Sequence, residues 1–157
     1  MNLKLLAAIA ASFILTFSAM AGQNPPQPAA GAKCPVCGMF VAKYPDWVVS
    51  LTFRDSSAVF FDGAKDMFNY YQNLKKYSQS RKTADVASIT VKDYYDLKPA
   101  EGKKAFYVIG SDVFGPMGKE LIPFSKEADA REFLKDHKGK KILRFDELTT
   151  GLLKSLE

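Results

Sequence analysis

Soft, reactive side chains are scarce in this sequence. Its 157 residues include two Cys and one His, which excludes zinc fingers with four Cys and metal cages built from several His. Its 10 Gly and 8 Pro are close to average usage, which excludes a collagen-like repeat or a long low-complexity region. What remains is 47% hydrophobic and 25% charged, a composition typical of one compact globular protein.

Long hydrophobic runs are also missing, except at the N-terminus. Lys4 precedes an apolar run over residues 5–17, and Ala19-Met20-Ala21 then offers small residues at the positions a signal peptidase reads. A helix of that length spans about 20 Å, less than the roughly 30 Å hydrocarbon core of a bilayer, so we favour cleavage over anchoring. Residues 1–21 are therefore predicted to be a cleavable signal peptide that directs the chain to the periplasm. No Cys directly follows the run to carry a lipid anchor.

The charge excess is small and gives no sign of a nucleic-acid partner. Lys and Arg number 22 against 17 acids, a formal net charge of +5. The basic residues are scattered between acids rather than interleaved with exposed aromatic side chains. We interpret them as solvated surface, and we expect an exported monomer that does not bind nucleic acid.

The mature chain is predicted to have an α+β fold made of two similar units packed together. Residues 22–33 contain three Pro and no large apolar side chain, so they are predicted to be a flexible tether. The first unit, residues 34–97, has the pattern strand, strand, helix, strand, with elements at residues 47–53, 58–61, 63–77 and 86–94. Asp62 is predicted to cap its helix.

The second unit, residues 103–157, repeats this ββαβ order after the break at residues 99–102. Its elements are predicted at residues 104–113, 121–124, 128–137 and 142–145, with a short final helix at 146–156. Ser125 is predicted to cap the helix, in the place that Asp62 has in the first unit. The match indicates a faint internal duplication.

The segment Cys34-Pro35-Val36-Cys37-Gly38-Met39 holds two thiols and a thioether within six residues. Thiolate and thioether donors favour Cu(I) over harder divalent ions. Gly38 allows a tight turn between the second thiol and the thioether. The segment therefore predicts a copper site.

Two closely spaced cysteines are also typical of haem attachment sites, redox pairs, zinc sites and structural disulfides. Haem attachment is excluded because Gly38 stands where a His is needed, and a thioredoxin-like pair would begin a helix, whereas a strand follows here. Zinc would need two more ligands, which only His137 or carboxylates could supply. A structural Cys34–Cys37 disulfide would close so small a loop that it would contribute little stability. The redox pair, zinc and the disulfide stay open on the residues alone.

Met117 is the second candidate donor. The other methionines of the mature chain are Met39 and Met67, and Met67 lies on the apolar stripe of the first predicted helix, where core packing explains it. Met117 lies in the loop Gly115-Pro116-Met117-Gly118, which favours a side chain that is presented rather than buried. If the two units pack together, this loop could approach Cys37 and Met39. A Met that fills a surface gap is the alternative.

Taken together, these motifs resemble the NosL family of nitrous oxide reductase accessory proteins. The resemblance rests on CGM at residues 37–39, on SDVFGPMGKELIPF at 111–124, on Ala130 and Phe133, and on GKKILRF at 139–145. It implies a Cu(I)-binding protein of the cell envelope, not an enzyme, that works with a membrane ABC-type complex to supply copper to the copper centres of nitrous oxide reductase. It also implies a fold of paired ββα units related to organomercurial lyase.

The resemblance implies sulfur ligands at Cys37, Met39 and Met117, and we expect Cys34 to assist them in holding one Cu(I). Two features depart from the family. Many members carry a lipid-modified Cys directly after the signal, which is missing here, and Tyr44 stands before Pro45 where relatives often have His. Cys34 supplies a second thiol, and we hypothesise that its oxidation frees the copper.

A catalyst is the alternative from another class. A mercury–carbon lyase needs two Cys that converge from distant loops, whereas both Cys here lie in one CxxC. A thiol–disulfide redox protein built on Cys34 and Cys37 is the stronger of the two alternatives.

Overall fold

The computed structural model describes residues 25–156, so the predicted signal peptide lies outside the described residues. The first sheet is antiparallel and has the order β2-β1-β3-β4. Its strands are β1 (Val49–Phe53), β2 (Ala58–Phe61), β3 (Val86–Lys92) and β4 (Pro99–Glu101). The segment with Pro99, predicted to be a break between units, is an edge strand, a position where the missing N–H of Pro does no harm.

The second sheet is also antiparallel and has the order β8-β5-β9. Its strands are β5 (Phe106–Ile109), β8 (Ile122–Phe124) and β9 (Lys141–Leu143), and between β5 and β8 the chain forms a separate hairpin of β6 (Phe114–Gly115) and β7 (Gly118–Lys119). In the first sheet β1 lies between β2 and β3, and in the second sheet β5 lies between β8 and β9. In both sheets, therefore, the strand that comes first in the chain is the central one of the three.

The helices are α1 (Ala64–Gln72), α2 (Leu74–Tyr77), α3 (Glu127–Asp136) and α4 (Thr150–Lys154). The sequence predicts one helix over residues 63–77, but the helix is interrupted at Asn73. The Asn73 backbone has φ −121° and ψ 38°, and its side-chain Nδ2 donates to the Asn69 carbonyl at 2.9 Å. A short amide side chain that bonds to the backbone competes with regular helix geometry.

Both predicted helix caps are wrong. Gly63 and Lys126 occupy the N-cap positions of α1 and α3, and neither makes a side-chain capping bond. Asp62 instead accepts a hydrogen bond from Cys37, and Ser125 donates to Asp93. Tertiary partners have replaced the local capping contacts that the sequence favours.

One core is shared by both sheets. Tyr107 and Ile109 of β5 belong to the large cluster that also contains Leu51 of β1 and Phe68 of α1. Val108 faces the other way, into a smaller cluster beneath α3, as alternation along a strand requires. The second sheet therefore lies between α3 and the first sheet with its helix. The predicted α+β class with helices packed on antiparallel sheets is confirmed, while the duplication remains a prediction.

No helix within residues 25–156 has both the length and the apolar character needed to cross a membrane.

Candidate metal centre

The segment from Cys34 to Met39 folds into a tight loop. The Cys34 N–H donates to the Met39 carbonyl and the Gly38 N–H donates to the Cys34 carbonyl, each at 2.9 Å. Gly38 has φ 80°, a left-handed conformation that glycine adopts without steric cost. Lys33 and Phe40 form a β-bridge just outside the loop. Backbone pairing thus already begins at the end of the segment predicted to be a tether.

Backbone N–H groups of this loop point at its sulfur atoms. The N–H groups of Val36 and Cys37 bond to the Cys34 sulfur, and the Met39 N–H bonds to the Cys37 sulfur. Such bonds favour the thiolate over the thiol. The loop backbone is therefore arranged to accept negative charge on both sulfurs.

Two aspartates complete a compact group of four donors. One ligand atom from each of Cys34, Cys37, Asp62 and Asp66 lies within 4.8 Å of the others. Asp62 directly follows β2 and Asp66 lies in the first turn of α1. The Cys34 thiol donates to Asp66 Oδ2 and the Cys37 thiol donates to Asp62 Oδ1, each at 3.2 Å. Each thiol thus has its own carboxylate partner.

Burial keeps both thiols protonated. Desolvation raises the pKa of Cys37 to about 12 and that of Cys34 well above its usual range, and the neighbouring carboxylates raise both further. These effects outweigh the backbone N–H bonds, which act in the opposite direction. A metal ion that binds here must therefore displace thiol protons.

One carboxylate oxygen in the group lacks a hydrogen-bond partner among residues 25–156. Asp62 is 1% exposed, and no described residue donates a hydrogen bond to its buried Oδ2 atom. A buried acceptor without a donor is costly, and a bound ion is one of the few things that offset that cost. The vacant lone pairs of Asp62 Oδ2 therefore fit a cation in this cluster.

An open cleft of about 780 Å³ adjoins the cluster, and we call it the metal cleft. Cys37 and Asp66 line it, and so do Phe114 and Met117 of the β6–β7 hairpin. Phe114 is 63% exposed and Met117 45% exposed. The Met117 thioether is thus presented on the cleft that reaches the Cys37 sulfur.

The four residues predicted as copper ligands occupy different environments. Cys34 is 1% exposed, Cys37 is half-buried and Met117 is exposed, with the last two on the metal cleft. Met39 is half-buried and adjoins Cys37 through its backbone N–H, but its side chain is not among those lining the cleft. The structure thus brings Cys34 and Cys37 together and sets Met117 on the same opening as Cys37.

The sequence did not point to the two aspartates as a pair. It favoured Asp62 as a helix cap and gave no role to Asp66. Helical spacing offered no signal, because Asp62 precedes Gly63, the N-cap of α1, and Asp66 lies within the helix. His137, the other zinc ligand weighed, lies elsewhere: its ring stacks on Phe133 at 4.4 Å and its Nδ1 lies 3.2 Å from Asp112.

Two thiolates and two carboxylates make a mixed donor set. The sulfurs suit a soft ion such as Cu(I), while the full set of four also supplies the number of ligands that a structural Zn²⁺ site takes. A zinc site at the two cysteines would need two more ligands, and the carboxylates of Asp62 and Asp66 could supply them. The exposed thioether of Met117 favours the softer ion, because thioethers bind Cu(I) and are poor ligands for harder ions.

Comparison with known proteins gives a consistent result. The NosL family model matches residues 25–153. The copper-binding lipoprotein NosL of Stutzerimonas stutzeri is 30% identical over 129 residues, which cover 77% of this chain and 64% of that relative. The crystal structure of the copper chaperone NosL from Shewanella denitrificans superposes with a TM-score of 0.66 at 26% identity, covering 81% of this chain and 99% of that one. The chain therefore belongs to the NosL family.

Proposed function

We propose that this protein is a periplasmic copper chaperone that carries one Cu(I) as its cargo. Its ligands are Cys34, Cys37, Met39 and Met117, and it passes the ion to an acceptor by ligand exchange. The observation that carries the proposal is the pair of clustered thiols beside a cleft on which the Met117 thioether is exposed. The names of its relatives, a copper-binding lipoprotein and a copper chaperone, support the choice of metal.

The graded exposure of the donors suits transfer. Cys34 is buried, Cys37 is half-buried and Met117 is exposed. The sulfur of an acceptor can enter through the metal cleft and replace the outermost donor first. Because each donor leaves only after a new one has bound, no free copper ion is released.

Asp62 and Asp66 support copper carriage as hydrogen-bond partners of the two thiols rather than as ligands. Cu(I) gains more from sulfur than from oxygen, so Asp62 and Asp66 are not needed as its ligands. In the metal-free protein they accept the hydrogen bonds of the two thiols. This holds the sulfurs in place and gives the displaced protons nearby acceptors when copper arrives.

The thiol chemistry argues against a disulfide exchanger. Exchange proceeds through a thiolate, and catalytic CxxC pairs lower the pKa of the attacking thiol. Here burial raises the pKa of Cys37 to about 12 and also raises that of Cys34. The thiolate is therefore rare at neutral pH unless a metal ion displaces the proton, and we propose a carrier without enzymatic activity.

The proposal extends to compartment and partners. The predicted signal peptide at residues 1–21 and the lipoprotein named among the relatives support export to the periplasm. We propose that the mature protein is a monomer whose partners are an ABC-type membrane complex and a copper enzyme acceptor, nitrous oxide reductase. The matching strand orders of the two sheets support a duplicated ββαβ unit, while kinship with organomercurial lyase stays a prediction.

The decisive experiment is an anaerobic Cu(I) titration of reduced residues 22–157 against a competing chelator, with the donor atoms identified by X-ray absorption. We expect one tightly held Cu(I) in a shell of sulfur atoms. A parallel titration with Zn²⁺ shows whether the carboxylates recruit a second kind of ion. No binding beyond that of an isolated CxxC peptide would reject the proposal and leave the redox pair as the best account.

The Met117→Ala variant tests the thioether ligand. We expect it to bind Cu(I) at least about tenfold more weakly, with one sulfur fewer in the absorption spectrum, since a direct ligand is lost. Phe114→Ala is the matched control, because Phe114 lies on the same hairpin, is exposed and has no donor atom. If both variants bind Cu(I) as tightly as the wild type, Met117 is not a ligand.

A further inference from the structure

We infer that Glu120 is a positioning residue, whose buried carboxylate fastens the hairpin that carries Met117 to the start of α1 and so sets the width of the metal cleft. The inference rests on the proposed copper site, because it assigns Glu120 no contact with the ion. Glu120 acts through Met117, which lines the metal cleft together with Cys37 and Asp66.

Hydrogen bonds show how the fastening works. Glu120 is 4% exposed and directly follows β7 of the hairpin. Its Oε1 atom accepts the backbone N–H of Lys65 at 2.6 Å and that of Leu121 at 2.8 Å. Lys65 lies in the first turn of α1, where backbone N–H groups have no partner within the helix. One carboxylate thus joins the base of the hairpin to the helix that carries Asp66.

Two glycines leave room for this carboxylate. A Cβ atom at Gly63 would lie 2.1 Å from Glu120 Oε2, and one at Gly115 would lie 3.0 Å from Glu120 Cγ. The φ of Gly63 is 177°, an extended conformation open to any residue. Space for the Glu120 side chain, rather than backbone freedom, therefore explains the glycine at this position.

The tip of the hairpin is held by the same helical residue. The Lys65 ammonium group donates to the Met117 carbonyl at 3.2 Å, and Lys65 is only 6% exposed. Lys65 therefore contacts the hairpin twice, through its N–H at the base and through its side chain at the tip. The Met117 backbone is fixed while its thioether remains free to face the cleft.

Burying the carboxyl group of Glu120 costs free energy, whereas burying an apolar core side chain does not. Desolvation raises the pKa of Glu120 to about 8, although both N–H bonds and Lys65 act to lower it. An apolar side chain would fill the same space without that cost but could not accept the two N–H groups. A glutamate at position 120 is therefore explained by the hydrogen bonds through which it connects the β6–β7 hairpin to α1.

The test compares Glu120→Ala with Glu120→Gln, whose amide oxygen has the same reach. We expect Glu120→Ala to weaken Cu(I) binding by about 10- to 100-fold, the loss typical of residues that orient a metal ligand, and to remove one sulfur from the absorption spectrum. Glu120→Gln should bind close to wild type. In a Met117→Ala background, Glu120→Ala should cause no further loss, because its effect passes through Met117. An equal loss in both backgrounds would overturn the inference.

A measurement on the copper-free protein separates this inference from the proposed function. In Glu120→Ala we expect the Met117 methyl resonance to move toward its value in an unfolded chain, and the Lys65 amide to lose protection from hydrogen exchange. Unchanged spectra would overturn the inference whatever the copper affinity. Tight copper binding by Met117→Ala would instead reject only the proposed ligand.

Two further variants guard against effects on folding. Ile122→Val trims the smaller core cluster and is expected to lower stability slightly without changing copper affinity. Glu120→Asp keeps the carboxyl group but shortens the reach by one methylene. If Glu120→Ala does not fold, Glu120→Asp replaces it with the same expected results and the same overturning outcomes.

Discussion

In the proposed copper site, Cys34 and Cys37 couple metal binding to proton release. Both thiols donate hydrogen bonds to carboxylates, and burial raises the pKa of each. The metal-free site therefore holds two protons throughout the neutral range. On the proposed function, copper binds by replacing these protons, so pH acts directly on the affinity.

We predict that Cu(I) affinity rises with pH between about 6 and 8. The thiols are fully protonated in this range, since the pKa of Cys37 is raised to about 12 and that of Cys34 is also raised. Each proton released to solvent changes the affinity by about tenfold per pH unit. The release of two protons therefore raises the affinity about 100-fold per pH unit. Competition titrations between about pH 6 and 8 measure this slope.

The Cys34→Ser variant is the control for that slope. It removes one titrating thiol and keeps the other, so we expect the slope to fall to about tenfold per pH unit. A pH-independent affinity in the wild type would contradict the prediction. It would mean that the displaced protons stay within the site, on Asp62 and Asp66.

At the scale of elements, Asp93 joins the end of β3 to the start of α3. It is 2% exposed, and its Oδ2 accepts the N–H and the hydroxyl of Ser125, each at 2.6 Å. Its Oδ1 accepts the N–H groups of Tyr95 and Asp96 at 3.0 and 3.3 Å. Burial opposes ionisation of Asp93, but these bonds outweigh it and lower the pKa. Asp93 is therefore a charged anchor between the two sheets.

We predict that Asp93→Ala destabilises the fold by about 3 kcal/mol, because it leaves several backbone N–H groups without an acceptor. Ser125→Ala removes only the hydroxyl donor and should cost about 1 kcal/mol. Asp96→Ala is the control, since that side chain is exposed and contacts Lys98, whose backbone N–H lies 3.2 Å and whose ammonium group lies 3.9 Å from its oxygens. Urea unfolding of the three variants measures these differences, and equal stability of Asp93→Ala and wild type would refute the prediction.

The same anchor predicts an acid dependence of stability. Because the pKa of folded Asp93 lies below its ordinary value of 3.8, its contribution is complete above that pH and is lost as the pH falls through the folded-state value. The wild type should therefore lose stability below about pH 4 more steeply than Asp93→Asn. Urea unfolding at a series of acidic pH values measures both curves, and parallel curves would contradict this account.

At the scale of the whole molecule, the two predicted units do not have separate cores. The large cluster takes Tyr107, Leu121 and Leu143 from the second sheet, and Leu153 from α4. The Tyr107 hydroxyl also donates to the Gly102 carbonyl at 2.7 Å. The first sheet and α1 are therefore covered by residues that follow them in the sequence.

We predict that residues 22–102 do not fold alone. Without the second sheet and α4, a large part of the first core would be exposed to water, at a cost of about 25 cal/mol per Å² of apolar surface. Circular dichroism should show no cooperative thermal transition for this fragment, whereas residues 22–157 should unfold in one step. A fragment with a sharp transition and dispersed amide resonances would show that the first unit is independent.

Local patterns were sufficient where a residue's role depends on its neighbours in the chain. Strand-forming residues at 47–53 predicted a strand where β1 lies, and helical spacing at 63–77 predicted a helix where α1 begins, because burial of one helix face follows from sequence period. The same reasoning failed at Asp62 and Ser125, whose local geometry is that of a cap but whose partners, Cys37 and Asp93, are distant in the chain. It also missed the break at Asn73, where a side-chain amide bonds to the backbone.

The sequence by itself determined the donor chemistry: two thiols three residues apart, a glycine that lets the loop turn, and a second methionine kept from burial by its loop. Only the tertiary structure decided which groups surround those sulfurs. Asp62 and Asp66 follow the cysteines by 25 residues or more, and Glu120 bonds to Lys65 across 55 residues of chain, yet the fold brings these segments together. Their buried carboxylates depend on distances across the fold, and a linear pattern of residues does not encode such distances.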